Sequence, residues 1–472
     1  MKQRGIGGFF KNSVLFLVGA VFSKLLSFIL LPLYTTYIPS EDFGVYDIAT
    51  LYVSLISGVV YFEIWSAMLR FLYDFDESGK MTVVKSSLKI FGISTSIFVA
   101  VSFLVCALAH IEYAPLVIIW GVATAFSTYM GFLARGFGKN IDFAVSGILN
   151  TAVCLGVNIL LIVVLKMNYS ALYLGSICGM LLQSVYLLLR VGKVNDIVKA
   201  KSDKNLTKQI FKYAYPLCFS TAAYWVLHSS ARIIYNAMCG DSASGVFSVG
   251  NKFGAIIVLA TTCFTYAWQD MSFSASSDNK STEIYSAASK KYLLFLSSSL
   301  CVALPVLKLI FPILVKGEYV EAINYVPLFL IVALASGYSG FVGNIFYAIK
   351  STKTISVSTI ISGIVTVSLA VPLIKLLDAN GANLAVLIGF ILNIIIRFAI
   401  LKRKINFKIP VKELLFIGIW ISVTTAVFTK ATVIISIAMF VINGVIMLLV
   451  FKTDLISFIK KINIKSILKS GE

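Results

Sequence analysis

SASGVFSVGNKFGAII, residues 242–257, repeats the plan of EDFGVYDIATLYVSLI, residues 41–56, at an offset of 201. Each copy follows an apolar run and a short turn. Whether the repeat decides the fold depends on how often the chain crosses a membrane between the copies. Of the 472 residues, 59% are hydrophobic and only 13% charged. The mean hydropathy of +0.92 is far above that of a soluble domain. Apolar runs near the ~20 residues a helix needs to cross the hydrocarbon recur along the whole length. They lack the every-second-residue alternation of an outer-membrane barrel. The expected fold class is therefore an all-α integral membrane protein.

Fourteen transmembrane helices are expected, near 13–37, 44–69, 86–108, 114–134, 141–165, 169–189, 213–237, 243–272, 292–315, 323–349, 354–377, 382–401, 412–429 and 432–451. Six spans separate the two copies. Because that number is even, the halves share one orientation, related by an axis along the membrane normal. A second parallel, FLARGFGKNIDFAV at 132–145 with FYAIKSTKTISVST at 346–359, has an offset of 214. The reading divides the chain into a six-helix lobe at 1–190, a basic connection at 191–212, a second six-helix lobe at 213–401, and two further helices with a basic tail at 402–472.

The net charge of +19 would suggest nucleic acid in a soluble protein, but its distribution gives another account. Every second connection is basic. Of 40 Lys and Arg, 32 fall on one set of connections and only Lys166, Lys316, Lys375 and Lys430 on the other. This bias places both termini in the cytoplasm and assigns no nucleic-acid partner. The first apolar run continues past Lys24 without a small-residue cleavage site, so it reads as a retained span rather than a signal peptide. The seven cysteines form no CxxC pair, which indicates neither a disulfide framework nor a metal site. With no P-loop, no HExxH and only His110 and His228, the chain reads as a non-enzyme without a cofactor, whose work is conformational.

Four cations lie inside spans: Lys24, Arg232, Lys252 and Lys308. A charge facing lipid at mid-span costs at least about 2.5–3.5 kcal/mol, so these side chains should face water, a partner or an anion. Arg232 sits in STAAYWVLHSSARIIYNAM, residues 220–238, with Trp225, His228, Ser229 and Asn236 at helical spacing on the same side. Snorkelling to the interface is the competing account. Glu63 and Arg70, seven residues apart, read as an ion pair or a coupling site, and Asp270 lies five turns beyond Lys252 on one face. Asp47, Thr50, Ser54, Ser57 and Tyr61 make a second polar stripe, which either lines a cavity or bonds neighbouring helices. Pro32, Pro216, Pro305, Pro327 and Pro372 are candidate bending points.

LPLYTTYIPSEDFGVYDI (31–48), RFLYDF (70–75), LARGFGKNIDFA (133–144) and YAYPLCFSTAAYWVLHSSARIIYNAMCGDSASGVFSVGNKFGAI (213–256) resemble, in order and spacing, the Wzx-type polysaccharide transporter flippases of the MATE-like MOP superfamily. Two positions depart from that pattern: the position after Thr35, often basic in such proteins, is Thr36, and the residue before Arg232, commonly acidic, is Ala231. The resemblance implies a bacterial cytoplasmic-membrane protein with two lobes around a central cavity. It also implies transport of undecaprenyl-diphosphate-linked oligosaccharide repeat units for O-antigen, capsule, lipopolysaccharide or exopolysaccharide, alongside a polymerase and assembly proteins. A cationic cavity formed by Lys24, Arg232, Lys252, His228, Trp225 and Asn236 would take the diphosphate, with Glu63, Arg70 and Asp270 as coupling or ion-pair groups. The alternatives are a cation-coupled drug or metabolite antiporter on the same fold, whose cationic substrate would favour carboxylates, and a membrane polysaccharide polymerase, which would need a large external loop.

Overall fold

Hydrocarbon offers no hydrogen-bond partner to a bare peptide group, so apolar runs of this length must satisfy their backbone internally, as helices do. The computed structural model describes residues 28–452 apart from 29, 276–280, 350 and 431, and shows no strand among them. A helical stretch over 30–37 leads through Pro39 into α1 (Ser40–Val60), followed by α2 (Ile64–Leu72), α3 (Glu77–Leu108), α4 (Ala114–Gly136) and α5 (Asn140–Asn158). Helix α5 ends in a π-helical turn, Ile159–Val164, before α6 (Ser170–Val191) and the short α7 (Val194–Lys199). The second half comprises α8 (Lys204–Ala275), α9 (Ser281–Leu314), a 3-10 turn at Gly317–Asn324, α10 (Val326–Ala348), α11 (Thr352–Leu377) and α12 (Ala379–Ile405). Helices α13 (Val411–Lys430) and α14 (Val433–Val450) follow and pack on α9.

Twelve of the described helices are long and apolar enough to cross a membrane. The difference from the expected fourteen has two sources. Most of the first span, with Lys24, lies outside the described residues. The spans expected at 213–237 and 243–272 run together in the 72-residue α8, broken only at Gly240, whose φ of 86° and ψ of 174° are non-helical. Glycine tolerates that φ without a Cβ penalty. The break therefore falls at Gly240 and not at Pro216, which sits inside regular helix. Pro327 likewise occupies the first turn of α10, where its missing N–H costs nothing, and is not an interior bend. The span expected at 44–69 is also interrupted, because Phe62 and Glu63 have φ of 51° and 54° and separate α1 from α2.

The repeat read from sequence recurs in packing. Ser87 on α3 shares a buried hydrogen bond of 2.7 Å with the Tyr129 hydroxyl on α4, and Ser289 on α9 shares one of 2.6 Å with Tyr338 on α10. Both tyrosines sit among rings: Tyr129 with Phe91 at 5.0 Å, Tyr338 with Phe398 at 6.0 Å. Large apolar residues such as Phe103, Leu189, Ile364 and Ile434 cover the outside, as a lipid-facing surface requires.

Candidate functional site

The break at Gly240 brings the two arms of α8 together beside α1, and Arg232 stands where they meet. Its guanidinium forms an ion pair through Nη2 with Asp47 Oδ2 of α1 and donates a 2.6 Å hydrogen bond from the same nitrogen to Ser248 Oγ. The two side chains of the pair are only 13% and 14% exposed, so Arg232 is not snorkelling to an interface. Asp47 and Ser248 are equivalent positions of the repeat, 201 residues apart. One arginine thus joins both copies. The acid missing at Ala231 is supplied instead by Asp47, from the stripe that sequence reading placed on α1 without a partner.

The remaining expected residues divide by direction. Trp225, two turns before Arg232, faces the same helix and donates from Nε1 to Ser54 Oγ at 2.9 Å. His228, one turn before Arg232, packs toward α12, stacking on Tyr224 at 5.9 Å and meeting Phe390 of α12 at 6.3 Å. Asn236 donates to Asp241 Oδ1 at 2.7 Å, tying the two arms across the break. Lys252 lies one turn beyond Ser248 and places its ammonium 5.2 Å from the Phe43 ring and 5.9 Å from Tyr34. It reaches the first half of the chain without a described contact to Arg232.

Glu63 and Arg70 do not pair. The carboxylate of Glu63, held at the break in the span, accepts from Trp65 Nε1 at 2.7 Å and Ser66 Oγ at 3.0 Å, with Thr221 of α8 at 3.5 Å. Arg70 pairs at 2.6 Å with Asp74, one turn on. The left-handed residues 62 and 63 take Glu63 out of helical register with Arg70, which is why spacing misled. Lys308 stands 4.9 Å from the Phe428 ring of α13, far along the chain from the Arg232 group. Lys24 and the side chain of Asp270 lie outside what the structure describes.

Between Arg232 and His228 lies a cavity of about 70 Å³, lined also by Ser229, Asn251 and Asn383 with the Phe247 and Phe329 rings. Arg232 Nε and Asn383 Nδ2 are buried donors with no acceptor among the described residues. The space suits a few waters or a single small group. A glycan-bearing lipid diphosphate would require the halves to separate.

At the end of the membrane opposite the basic connections the halves are fastened. Ser40, at the start of α1, donates from its backbone N at 3.1 Å and its Oγ at 2.7 Å to Glu318 Oε2 on the 3-10 turn. Its Oγ also lies 2.7 Å from Ser242 Oγ, and Tyr319 donates to the Ile38 carbonyl at 2.8 Å. These two donors from Ser40 hold the Glu318 carboxyl below its ordinary range, since they favour its charged form.

Sequence reading also missed Arg397, which it counted with a basic connection. The side chain is buried in α12, 5% exposed. It donates to the Ser339 carbonyl at 2.5 Å, Ser358 Oγ at 3.1 Å and Thr359 Oγ1 at 3.2 Å. No carboxylate lies within ion-pair distance among the described residues. Arg190 on α6, by contrast, has one, pairing with Asp142 at 2.6 Å.

A family model described as "Polysaccharide biosynthesis protein" matches residues 9–269, more than half of the chain. No curated protein matches. The fold is similar to the solved structure titled "Lipid II flippase MurJ, inward closed conformation", with a TM-score of 0.71 at 14% identity over 94% of this chain and 100% of that one. It is also similar to an outward-facing multidrug resistance MATE transporter of the MOP superfamily, with a TM-score of 0.60 at 14% identity over 88% and 96% of the two chains. The inward-facing form of a MATE family transporter gives 0.59 at 14% identity over 90% and 97%.

Proposed function

Because the chain belongs to the polysaccharide biosynthesis protein family, we propose that it flips undecaprenyl-diphosphate-linked oligosaccharide repeat units across the bacterial cytoplasmic membrane. The product feeds O-antigen, capsule or exopolysaccharide assembly. Both termini lie in the cytoplasm, with two lobes, at 1–190 and 213–401, rocking about the connection at 191–212. The observation that carries this reading is the ion pair joining Arg232 to Asp47 across the two halves, with Ser248 as third member. An intramembrane guanidinium whose counter-ion comes from the opposite half can exchange that carboxylate for a phosphoryl oxygen when the halves part. Its planar fork of donors grips phosphate at two points. Lys252, one turn beyond Ser248, and Lys24 would add charge for the second phosphate. The glycan stays in the wet space between lobes and the prenyl tail in lipid.

Deleting the protein should strand lipid-linked repeat units on the cytoplasmic leaflet and abolish surface polysaccharide, with recovery when the gene is restored. Normal surface polymer in a null strain that has no second flippase defeats the reading. The orientation has its own check: a membrane-impermeant maleimide should label the exposed Cys239 in whole cells, while a reporter after Glu472 stays inside.

A further inference from the structure

The ends of α4 and α5 on the basic side of the membrane enclose a second site that the Arg232 group does not use. A cavity of about 290 Å³ lies between the 73–76 connection with the first turn of α3 and the turn at Gly138, with Tyr73, Phe75, Lys80, Arg135, Phe137 and Asn140 around it. Arg135 is half-buried there. Its guanidinium carbon lies 5.1 Å from the Phe132 ring and 5.9 Å from Phe143, which hold it in place by cation–π contact. Among the described residues no carboxylate pairs with it and no group accepts a hydrogen bond from it. A guanidinium with five donors therefore stands at the cavity without an acceptor among the described residues. Of the nearby acids whose side chains are described, Asp74 pairs with Arg70 at 2.6 Å, Asp76 accepts from the Gly79 amide at 2.9 Å, and Asp142 pairs with Arg190 at 2.6 Å. Lys80 lies 5.8 Å from the Phe137 ring on the same wall, and α5 begins without a side-chain cap on its first amides. All of these features favour an anion.

The rim indicates which anion. Tyr73 and Phe75 are 71% and 40% exposed at the level where aromatic side chains meet headgroups. Ile141 and Val145 continue from the cavity along the outside of α5 as an exposed apolar track. A phosphate bound at Arg135 would thus have an acyl path beside it. Basic pockets between helix ends on the Lys- and Arg-rich side of a membrane take anionic lipid headgroups on the same physical grounds. We infer that this cavity binds the phosphodiester of an anionic phospholipid from the leaflet on the basic side, with Arg135 and Lys80 as phosphate ligands.

The test is native mass spectrometry of the full chain released from mixed micelles containing phosphatidylglycerol and phosphatidylcholine in equal amounts. The parental protein should retain phosphatidylglycerol preferentially, and Arg135→Ala with Lys80→Ala should lose one retained molecule, weakening binding about tenfold or more. Arg135→Lys should lose part of it. Should the double variant unfold, Lys80→Glu alone, in the partly exposed first turn of α3, serves the same purpose. Equal retention of both lipids by the parent, or an unchanged phosphatidylglycerol count in Lys80→Glu and Arg135→Ala, overturns the assignment. Displacement of the lipid by millimolar inorganic phosphate alone overturns it in favour of a free-phosphate site. Displacement by a polyprenyl diphosphate but not by phosphate overturns it in favour of a cargo-entry site.

Discussion

Gly44 and Gly245 occupy equivalent positions of the repeat and make the same contact in opposite senses. A Cβ at Gly44 would come 1.9 Å from the Asp241 carbonyl oxygen, and a Cβ at Gly245 would come 1.9 Å from that of Ser40. Residues 40 and 241 share the same offset of 201. The contact is that of a two-fold axis passing between the copies, and both glycines are required because backbone meets backbone. Either Gly44→Ala or Gly245→Ala should force the two helix starts apart. With Cys239 replaced by Ser, the pair Ser40→Cys and Ser242→Cys, whose native oxygens are 2.7 Å apart, should oxidise readily in the parental background and poorly beside Gly44→Ala. The disulfide should also stop polysaccharide export until reductant is added, because it ties the halves at this end.

Glu318 makes the same contact sensitive to acid. Its carboxyl is lowered from 4.5 by the two Ser40 donors, so the charged form contributes to the fastening above the unfolded value. That contribution is lost as pH falls through the lower folded value. Spin labels at the exposed positions Glu41 and Val320 should report one short distance at neutral pH, with a broader, longer distribution appearing only below about pH 4.5. In Glu318→Gln the distribution should be the same on both sides of that window. A parental distance that begins to lengthen near pH 6 would assign the change to another group.

The sequence made the helices, the repeat and the offset legible, because apolar run length and paired glycines follow from the bilayer and from close backbone approach. It did not make the partners legible. The stripe holding Asp47 and Ser54 was visible on α1, yet its facing Arg232 and Trp225 depends on how α8 folds back at Gly240. Glu63 carries no proline or glycine signal for its left-handed backbone, so helical spacing to Arg70 was the reasonable and mistaken reading. Arg397 looked like part of a basic connection because hydropathy cannot distinguish a charge entering water from one enclosed by hydroxyls.

That enclosure gives Arg397 an unusual expectation. Ser358 and Thr359 also donate to the Ile355 carbonyl, and Ser339 donates to Asn393, so deleting the guanidinium strands none of their hydroxyls. Removing an unpaired buried charge relieves desolvation, and Arg397→Met should leave the melting temperature unchanged or raise stability by about 1–4 kcal/mol. Gly343→Ala is the converse case, since its Cβ would press on Arg397 Nη1 at 3.0 Å, costing about 1–3 kcal/mol by overpacking. In the double variant that cost should vanish. Additive effects in thermal melts would show that Arg397 and Gly343 do not meet. Export lost in a stable Arg397→Met protein would assign the charge to transport.

The pair Arg232–Asp47 demands a series that separates structure from transport. Arg232→Ala alone leaves Asp47 charged and unpaired in a buried seam, a cost of about 3–5 kcal/mol, enough to deplete the protein from the membrane. Low export in that variant would therefore say little about cargo. Combining Arg232→Gln with Asp47→Asn removes both charges with little change of shape, so the protein level should recover. If Arg232 grips the diphosphate, export should remain near zero in this neutral pair despite normal protein. Arg232→Lys should keep part of it, and Arg232→Glu should abolish it by repelling the anion. Asp47→Ser, which copies Ser248 from the second half, should hold the repeat unit more tightly, because nothing competes for the guanidinium, and should turn over more slowly. Radiolabelled repeat-unit binding and surface polymer, each normalised to membrane protein, measure the two effects separately. Parental export by the well-expressed neutral pair would reduce the ion pair to a seam fastener and place the phosphate site elsewhere.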